Sequence, residues 1–229
     1  MNLTVAEKKD SFTVLPHKTG KKEIFYPESD GKPMAETDVH ITLIADLLKT
    51  LRNFFSQTKD VKVLADIMFY YEEGSPQKSI APDVMVVSGV EKHTRRVFKL
   101  WEEKVPNVIF EISSKKTWMD DLQKKYFLYE SFGVKEYYIF DPEYNYLPEP
   151  FVAFHLKGES FKKIKMKQNG VFSPALNLEI VDTGETLRLF NPVTGRFLPT
   201  MEEQARQVES LESEVEKLKA ELAKLKRQK

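Results

Sequence analysis

The sequence lacks cysteine, long apolar runs and any excess of charge of one sign. Without cysteine, neither disulfides nor a thiolate metal site can form, so any metal ion must be held by oxygen ligands or by the four histidines. No segment approaches the length of a membrane-spanning helix, and the N-terminal residues lack the apolar core of a signal peptide. These absences predict a cytoplasmic protein with no membrane partner.

The charge balance limits how the chain can attract nucleic acid, since 35 basic residues offset 35 acidic ones. Any DNA contact must therefore come from local clusters rather than from the whole-molecule field. With 229 residues, 41% of them hydrophobic, the chain is long enough for one well-buried domain and an appendage. We expect a domain over residues 1–200 and a separate helix over residues 201–229.

Hydrophobic periodicity predicts a mixed α/β (α+β) core with a central sheet flanked by helices. A first helix is expected over about residues 38–56, with Thr37 or Asp38 as its N-cap, and a second over residues 120–132, ended by Gly133. The loop after the second strand has room for a short amphipathic helix. Runs rich in β-branched and aromatic residues predict strands at VKVLADIMFYY, PDVMVV, NVIFEIS and EYYIFD, and a hairpin at FVAFHL and SFKKIKM.

The C-terminal segment has the heptad pattern of a coiled coil. Valine at two of three a positions, leucine at each d position and attractive g-to-e charge pairs favour a parallel homodimer. The alternative is a solvated helix that lies back on the body, because three heptads alone are only marginally stable. The apolar residues that alternate spacings of three and four are Val208, Leu211, Val215, Leu218, Leu222 and Leu225.

Two carboxylates stand at the ends of apolar strands. Asp83 follows Pro82 and precedes VMVV, whereas Glu111 ends NVIF and is followed by Ser113 and Ser114. A carboxylate in such a place is costly to desolvate and needs a cation, donors or water. If the strands are neighbours, the pair can bind one divalent ion, and Mg²⁺ suits it because Mg²⁺ keeps several waters. The alternative is that Asp83 caps a turn and Glu111 pairs with a lysine.

A longer pattern surrounds these two residues. Pro-Asp before a strand is followed by Glu-x-x-Ser, Thr-x-x-x-Asp-x-x-x-Lys-x-x-x-Tyr, Gly-Val-x-Glu-Tyr and Asp-Pro. The positions are Pro82 and Asp83; Glu111 and Ser114; Thr117, Asp121, Lys125 and Tyr129; Gly133, Val134, Glu136 and Tyr137; Asp141 and Pro142. In order and spacing the pattern resembles the bacterial "putative restriction endonuclease" family, a branch of the PD-(D/E)XK nuclease superfamily. The resemblance implies a restriction-endonuclease-like core and a divalent-metal-dependent DNA endonuclease.

The resemblance also implies roles for individual residues. Asp83 and Glu111 would ligate Mg²⁺ or Mn²⁺, and a lysine would assist the hydrolysis of a phosphodiester bond. Ser113 stands two residues after Glu111, where the PD-(D/E)XK pattern has lysine. Lys125, at the family's own lysine position on the second helix, is the expected replacement, and a surface lysine paired with an aspartate is the alternative. Its competitors are Lys115, Lys116 and Lys124.

Three further residues are candidates for the same site. Asp121, four residues before Lys125, shares its helix face and can pair with it or act as a further acidic group. Glu36 can add an acidic ligand, as first-helix glutamates do in this fold. His40 lies where relatives commonly carry a histidine, and a capping or surface role is its alternative.

Local basic clusters are the expected DNA contacts. Such side chains bind phosphates without reading the base sequence, although a solvated surface explains them equally well. The candidates are Lys115, Lys116, Arg95, Arg96, Lys163 and Lys165. A catalytically inactive protein of the same fold, binding nucleic acid or a protein partner through its coiled coil, is the alternative function, because the lysine after Glu111 is missing. A metal-free scaffold is a third reading and would need Asp83 and Glu111 to be far apart.

Overall fold

The computed structural model describes residues 24–29, 31 and 37–227. One helix precedes six consecutive strands, a second helical segment precedes seven more strands, and a single long helix ends the described chain. In chain order the elements are α1 (Asp38–Phe54), β1 (Val61–Leu64), β2 (Phe69–Tyr70), β3 (Ser79–Ile80), β4 (Val84–Ser88), β5 (Phe98–Lys99), β6 (Val108–Ile112), α2 (Trp118–Asp120), a π-helical turn (Asp121–Lys125), α3 (Tyr126–Phe132), β7 (Glu136–Phe140), β8 (Phe151–Lys157), β9 (Ser160–Lys163), β10 (Gly170–Ser173), β11 (Leu178–Asp182), β12 (Leu187–Asn191), β13 (Arg196–Phe197) and α4 (Met201–Arg227).

A six-stranded mixed sheet forms the centre, in the order β1-β4-β6-β7-β8-β9. Strands β6 and β7 run parallel, and the other neighbours run antiparallel. Both faces of this sheet are covered, so its central strands are apolar on both sides. The predicted mixed α/β architecture with a mixed central sheet and flanking helices is confirmed.

Side-chain alternation assigns each strand residue to one of the two faces. Val84 and Phe110 lie in the core that contains α1 and the C-terminal strands. Met85 and Ile109 lie in the opposite core, which includes residues of the second helix. Asp83 and Glu111, one position along each strand, therefore face the second helix by the same alternation.

Both predicted helices form, and their ends have the expected causes. The Thr37 side chain accepts a hydrogen bond from the backbone N–H of His40 at 3.4 Å, which makes Thr37 the N-cap of α1. The second helix ends at Gly133, whose φ of 81° is left-handed and therefore favours glycine. Two details differ from expectation. The run VKVLADIMFYY is two strands in different sheets, separated at Asp66 with a φ of 46°, and residues 91–104 form β5 and turns rather than a helix.

A four-stranded antiparallel sheet, β10-β11-β12-β13, packs against the core and was not predicted. The buried carboxylate of Glu136 links this sheet to the central sheet through hydrogen bonds. Glu136 accepts hydrogen bonds from the Ser173 hydroxyl, from the Tyr138 hydroxyl at 2.9 Å and from the backbone N–H of Ala175 at 2.8 Å. The opposite residue in the sheet, His155, lies 3.1 Å from the Tyr138 hydroxyl. These contacts join β7 to the segment that begins the C-terminal sheet.

The last helix, α4, begins at Met201 as the heptad pattern predicts. A reciprocal capping box fixes its start: the Thr200 hydroxyl accepts from Glu203 N–H at 3.2 Å, and the Glu203 carboxylate accepts from Thr200 N–H at 2.8 Å. None of the helices in the described part of the chain combines the length and apolar content needed to cross a membrane.

Candidate active site

Asp83 and Glu111 meet at one end of the central sheet. Strands β4 and β6 pair antiparallel with Val84 opposite Phe110, so the start of β4 lies beside the end of β6. The backbone N–H of Ile112 donates to Asp83 Oδ2 at 2.6 Å, which ties the first carboxylate to the residue after the second. The two strands are therefore neighbours, which is the condition that the sequence analysis set for Asp83 and Glu111 to bind one ion.

Glu111 is fully buried and both of its oxygens have partners. Lys125 Nζ lies 2.8 Å from Oε2, and the Tyr129 hydroxyl donates to Oε1 at 2.5 Å. Both partners come from the second helix, which packs on the face of the sheet to which Glu111 points. The pairing of Glu111 with a lysine, which the sequence left open as the alternative to a metal site, is made by Lys125, four residues before Tyr129.

Asp121 completes the group around Lys125. Lys125 Nζ lies 2.8 Å from Asp121 Oδ1, and the Ser113 hydroxyl donates to Asp121 Oδ2 at 2.7 Å. Ser113 occupies the position where the parent motif has lysine. Its hydroxyl orients the carboxylate of Asp121, which in turn pairs with Lys125. The Tyr137 hydroxyl adds a 2.9 Å hydrogen bond to the backbone carbonyl of Asp121. Residues of the strand and of the helix therefore both hold Lys125 in position.

A π-helical turn brings the helix residues of the motif onto one face. Thr117, Asp121, Lys125 and Tyr129 recur every four residues. In a regular α-helix each four-residue step drifts by about 40° around the axis, so three steps would turn the last residue away from the first. The wider turn over Asp121–Lys125 runs against this drift. Asp121, Lys125 and Tyr129 can thus all reach the end of β6.

The site holds three carboxylates around one ammonium group. Burial raises the pKa of Glu111 well above its ordinary value; the charge of Lys125 opposes this rise, and the charges of Asp83 and Asp121 add to it. Burial lowers the pKa of Lys125, but the charges of Glu111, Asp121 and Asp83 outweigh it and raise that pKa overall. Lys125 is therefore an ammonium at neutral pH, and the excess negative charge favours uptake of a proton or another cation.

Asp83 differs electrostatically from Glu111. Burial would raise its pKa, but contact with His40, the charge of Lys125 and the Ile112 N–H lower that pKa overall. His40, on the first turn of α1, is 4% exposed, and its Nε2 lies 3.8 Å from Asp83 Oδ1. The lowered pKa keeps Asp83 ionised at neutral pH, and its side chain is 21% exposed.

The acidic ligand atoms at the site are oxygens, the type of donor that a hard divalent cation prefers. Within residues 24–29, 31 and 37–227, no cluster of three or more His, Asp or Glu side chains is arranged to hold a metal ion. Mg²⁺ needs only one or two carboxylates and completes its shell with waters and substrate phosphate. Asp83 and Glu111 supply two carboxylates in a site with an excess of negative charge, and their oxygen atoms suit this ion.

The other predicted residues divide into those at the site and those away from it. Asp121 and His40 belong to the site, whereas Glu36 lies outside the described residues. Lys115 and Lys116 are exposed in the loop that follows β6, beside the site in sequence. Of the competing lysines, Lys115, Lys116 and Lys124 all point to solvent, and Lys125 alone among these four is bonded to Glu111.

The basic residues predicted to contact DNA differ in their exposure and in their ion-pair partners. The Arg95 side chain is 4% exposed and forms two hydrogen bonds to Glu103, so it stabilises its own loop. Arg96 is 80% exposed and pairs with Glu28. In the hairpin, Lys163 pairs with Glu149 at 2.7 Å, and Lys165 is exposed.

Two contacts at the site were not predicted, although Tyr129 belongs to the motif and Ser113 was singled out as the residue that stands where the parent pattern has lysine. Tyr129 donates directly to Glu111, and Ser113 holds Asp121. The signal for Tyr129 was its place in the four-residue series with Lys125. Asp141 has a structural role instead: its buried carboxylate accepts from the backbone N–H groups of Glu143, Asn145, Tyr146 and Leu147 and so closes the loop after β7.

Comparisons with known proteins found one matching family and similar solved structures. The sequence model of the Uma2 family, described as "Putative restriction endonuclease", matches residues 11–150, which is more than half of the chain. Among solved structures, the chain is similar to a "putative nuclease belonging to DUF820" from Anabaena variabilis ATCC 29413, with 13% identity, a TM-score of 0.45, and coverage of 65% of this chain and 81% of that one. No curated protein matches the chain.

Proposed function

Because the chain belongs to the Uma2 family, we propose that it is a divalent-metal-dependent DNA endonuclease that hydrolyses phosphodiester bonds. One observation carries the proposal: two strand-end carboxylates and an ammonium meet at one end of the central sheet, with Lys125 Nζ 2.8 Å from Glu111. This combination supplies the two charge types that phosphodiester hydrolysis needs. Carboxylates attract a metal ion, and a fixed cation counters negative charge that develops on phosphate.

Asp83 and Glu111 are the proposed ligands of Mg²⁺ or Mn²⁺. When bound, such an ion polarises the phosphate and lowers the pKa of a coordinated water. Asp83 suits this role because its lowered pKa keeps it ionised and because it is partly open to solvent. His40 and the Ile112 N–H hold the Asp83 carboxylate in one orientation.

Lys125 is the proposed catalytic lysine. Its side chain is 16% exposed, so it faces both the buried carboxylates and solvent. Two carboxylates fix Nζ in place and keep it charged, so it can stabilise charge on the substrate without reorganising. Ser113 and Asp121 are the proposed positioning residues for this ammonium.

Exposed basic side chains near the site are the proposed DNA contacts. Lys115 and Lys116 are exposed and follow β6 within five residues of Glu111. Lys163, Lys165 and Arg96 are also exposed and add positive charge elsewhere on the surface. Such contacts bind the phosphate backbone, so we expect binding that is largely independent of sequence.

A plasmid-nicking assay with Mg²⁺ or Mn²⁺ tests the proposal. We expect Asp83→Ala, Glu111→Ala and Lys125→Ala each to abolish metal-dependent nicking while circular dichroism reports a folded chain. Lys124→Ala, one residue away and exposed, is the matched control and should cut like the unmodified protein. Nicking that survives both carboxylate substitutions would remove the mechanism, and DNA binding without nicking under any metal would favour the non-cutting alternative.

A further inference from the structure

The helix α4 carries an apolar stripe that nothing in the described structure covers. Every residue from 205 to 226 is exposed. The six residues of the stripe are between 46% and 64% exposed: Val208, Leu211, Val215, Leu218, Leu222 and Leu225. At 1.5 Å per residue, the 27-residue helix is about 40 Å long, so the stripe extends well beyond the body. A stripe of this kind is characteristic of a helix that has a partner.

The first turn of α4 fixes the direction in which the stripe leaves the body. Asn53 Nδ2 donates to Gln204 Oε1 at 2.7 Å, and the Met201 N–H donates to Asp46 Oδ1 at 3.1 Å. Glu203 pairs with Arg188 at 2.8 Å in addition to its capping bond with Thr200. The first turn of the helix is therefore attached to the domain, and the described stripe does not lie back on that domain.

The charges beside the stripe select one arrangement of partners. With Val208, Val215 and Leu222 at a positions, the g positions are Gln207, Glu214 and Glu221, and the e positions are Glu212, Lys219 and Lys226. In a parallel pair g faces e of the next heptad, which gives Glu214 with Lys219 and Glu221 with Lys226, both attractive. In an antiparallel pair g faces g and e faces e, which sets glutamate against glutamate and lysine against lysine. Valine at a and leucine at d also favour two parallel strands.

We propose that α4 binds α4 of a second copy of this chain as a parallel, in-register, two-stranded coiled coil. Its own surface supplies both the apolar seam and the complementary charges, so the fitting partner is an identical helix. Both bodies then lie at the same end of the coil, each joined to it through the capped first turn of α4. This inference does not rest on the proposed function.

The absence of cysteine allows a direct test with the full chain. Leu225→Cys places one thiol at a d position near the end of the stripe, and mild oxidation should convert the protein to a covalent dimer, because identical d residues face each other only in a parallel, in-register pair. Ala220→Cys places the thiol at an f position on the opposite side of the helix and should remain uncross-linked. The unmodified chain should sediment at twice its 26.7 kDa mass and dissociate on dilution.

Charge reversal gives a second, independent arm. Glu214→Lys with Glu221→Lys, and separately Lys219→Glu with Lys226→Glu, should each weaken the homodimer at low salt, and an equimolar mixture of the two variants should restore a dimer. A monomer mass at all concentrations would overturn the proposal and leave the stripe for another protein. A dimer in which Leu225→Cys fails to cross-link would overturn the parallel arrangement in favour of an antiparallel one.

Discussion

Lys125 is bound by two carboxylates at once, and this determines what each substitution around it does. A third carboxylate, Asp83, lies close enough to shift the pKa values of both Glu111 and Lys125. Removing a carboxylate relieves repulsion, whereas removing the ammonium leaves buried negative charge without a partner. Stability and activity should therefore respond in opposite directions at Glu111 and in the same direction at Lys125.

Glu111→Gln is expected to abolish nicking yet stabilise the metal-free protein at neutral and alkaline pH. The glutamine resembles the protonated carboxyl that burial favours. A carboxyl whose pKa is raised on folding contributes stability that is lost as the pH rises above its ordinary value of 4.5, so the advantage of the variant should grow from there. Urea denaturation in the presence of a chelator measures the difference, and we expect the variant to have the higher free energy of unfolding at pH 8. A variant less stable than the unmodified chain would contradict this.

Tyr129→Phe is expected to lower the free energy of unfolding by about 2 kcal/mol, because it removes the buried donor to Glu111 Oε1. Tyr126→Phe is the matched control on the same helix. Its hydroxyl donates to the Phe161 carbonyl at 3.3 Å from a half-buried position, so its loss should cost clearly less. Equal losses in thermal and urea denaturation would show that the Glu111 contact contributes nothing special.

The sequence predicts the main charged residues of the site but not all of the hydrogen bonds that connect them. Asp83 and Glu111 could be found because a carboxylate at the end of an apolar strand needs a partner. Lys125 could be found because the motif places a lysine on the second helix. The Ser113 and Tyr129 contacts depend on the distance between helix and sheet, and no local pattern encodes that distance.

At the scale of elements, the second helix shows the same limit. Its extent and its end at Gly133 follow from periodicity and from the left-handed residue. The π-helical turn was not foreseen, because a four-residue repeat fits both an α-helix and a wider turn, and the contacts of Lys125 with the sheet decide between them. The sheet from β10 to β13 was missed for a related reason: its short strands acquire their partners only from tertiary packing.

The contacts between the central and C-terminal sheets include His155, and they predict that folding stability depends on pH. Burial lowers the pKa of His155; Glu136 opposes this shift and Lys157 adds to it. Because the unfolded chain binds this proton near pH 6.5 and the folded chain only at lower pH, folding stability should fall as the pH drops below 6.5. His155→Gln keeps a partner for Tyr138 but does not titrate, so urea denaturation should show a smaller loss between pH 7.5 and 5.5. Identical pH profiles would remove His155 as the cause.

At the scale of the whole molecule, a net charge of zero limits how DNA can be held. The proposed contacts are the five exposed cations Lys115, Lys116, Lys163, Lys165 and Arg96. If each neutralises one phosphate, a plot of log affinity against log salt should have a slope no steeper than about −4.5. Lys115→Glu with Lys116→Glu should flatten that slope, and the charge-matched control Lys49→Glu with Lys59→Glu should not. A much steeper slope would reveal a contact surface elsewhere.

The hydrogen bonds of the buried Glu136 cross the end of the family match, so the boundary of the match differs from the boundary of the packed structure. The family match ends at residue 150, directly before β8. Yet β8 pairs with every residue of β7, and Glu136 accepts hydrogen bonds from residues 173 and 175. A chain ended at residue 150 would expose the edge of a buried strand and leave a carboxylate without its donors. The matched segment is therefore shorter than the set of strands that pack together, and the end of the sheet that carries Asp83 and Glu111 depends on strands outside the match.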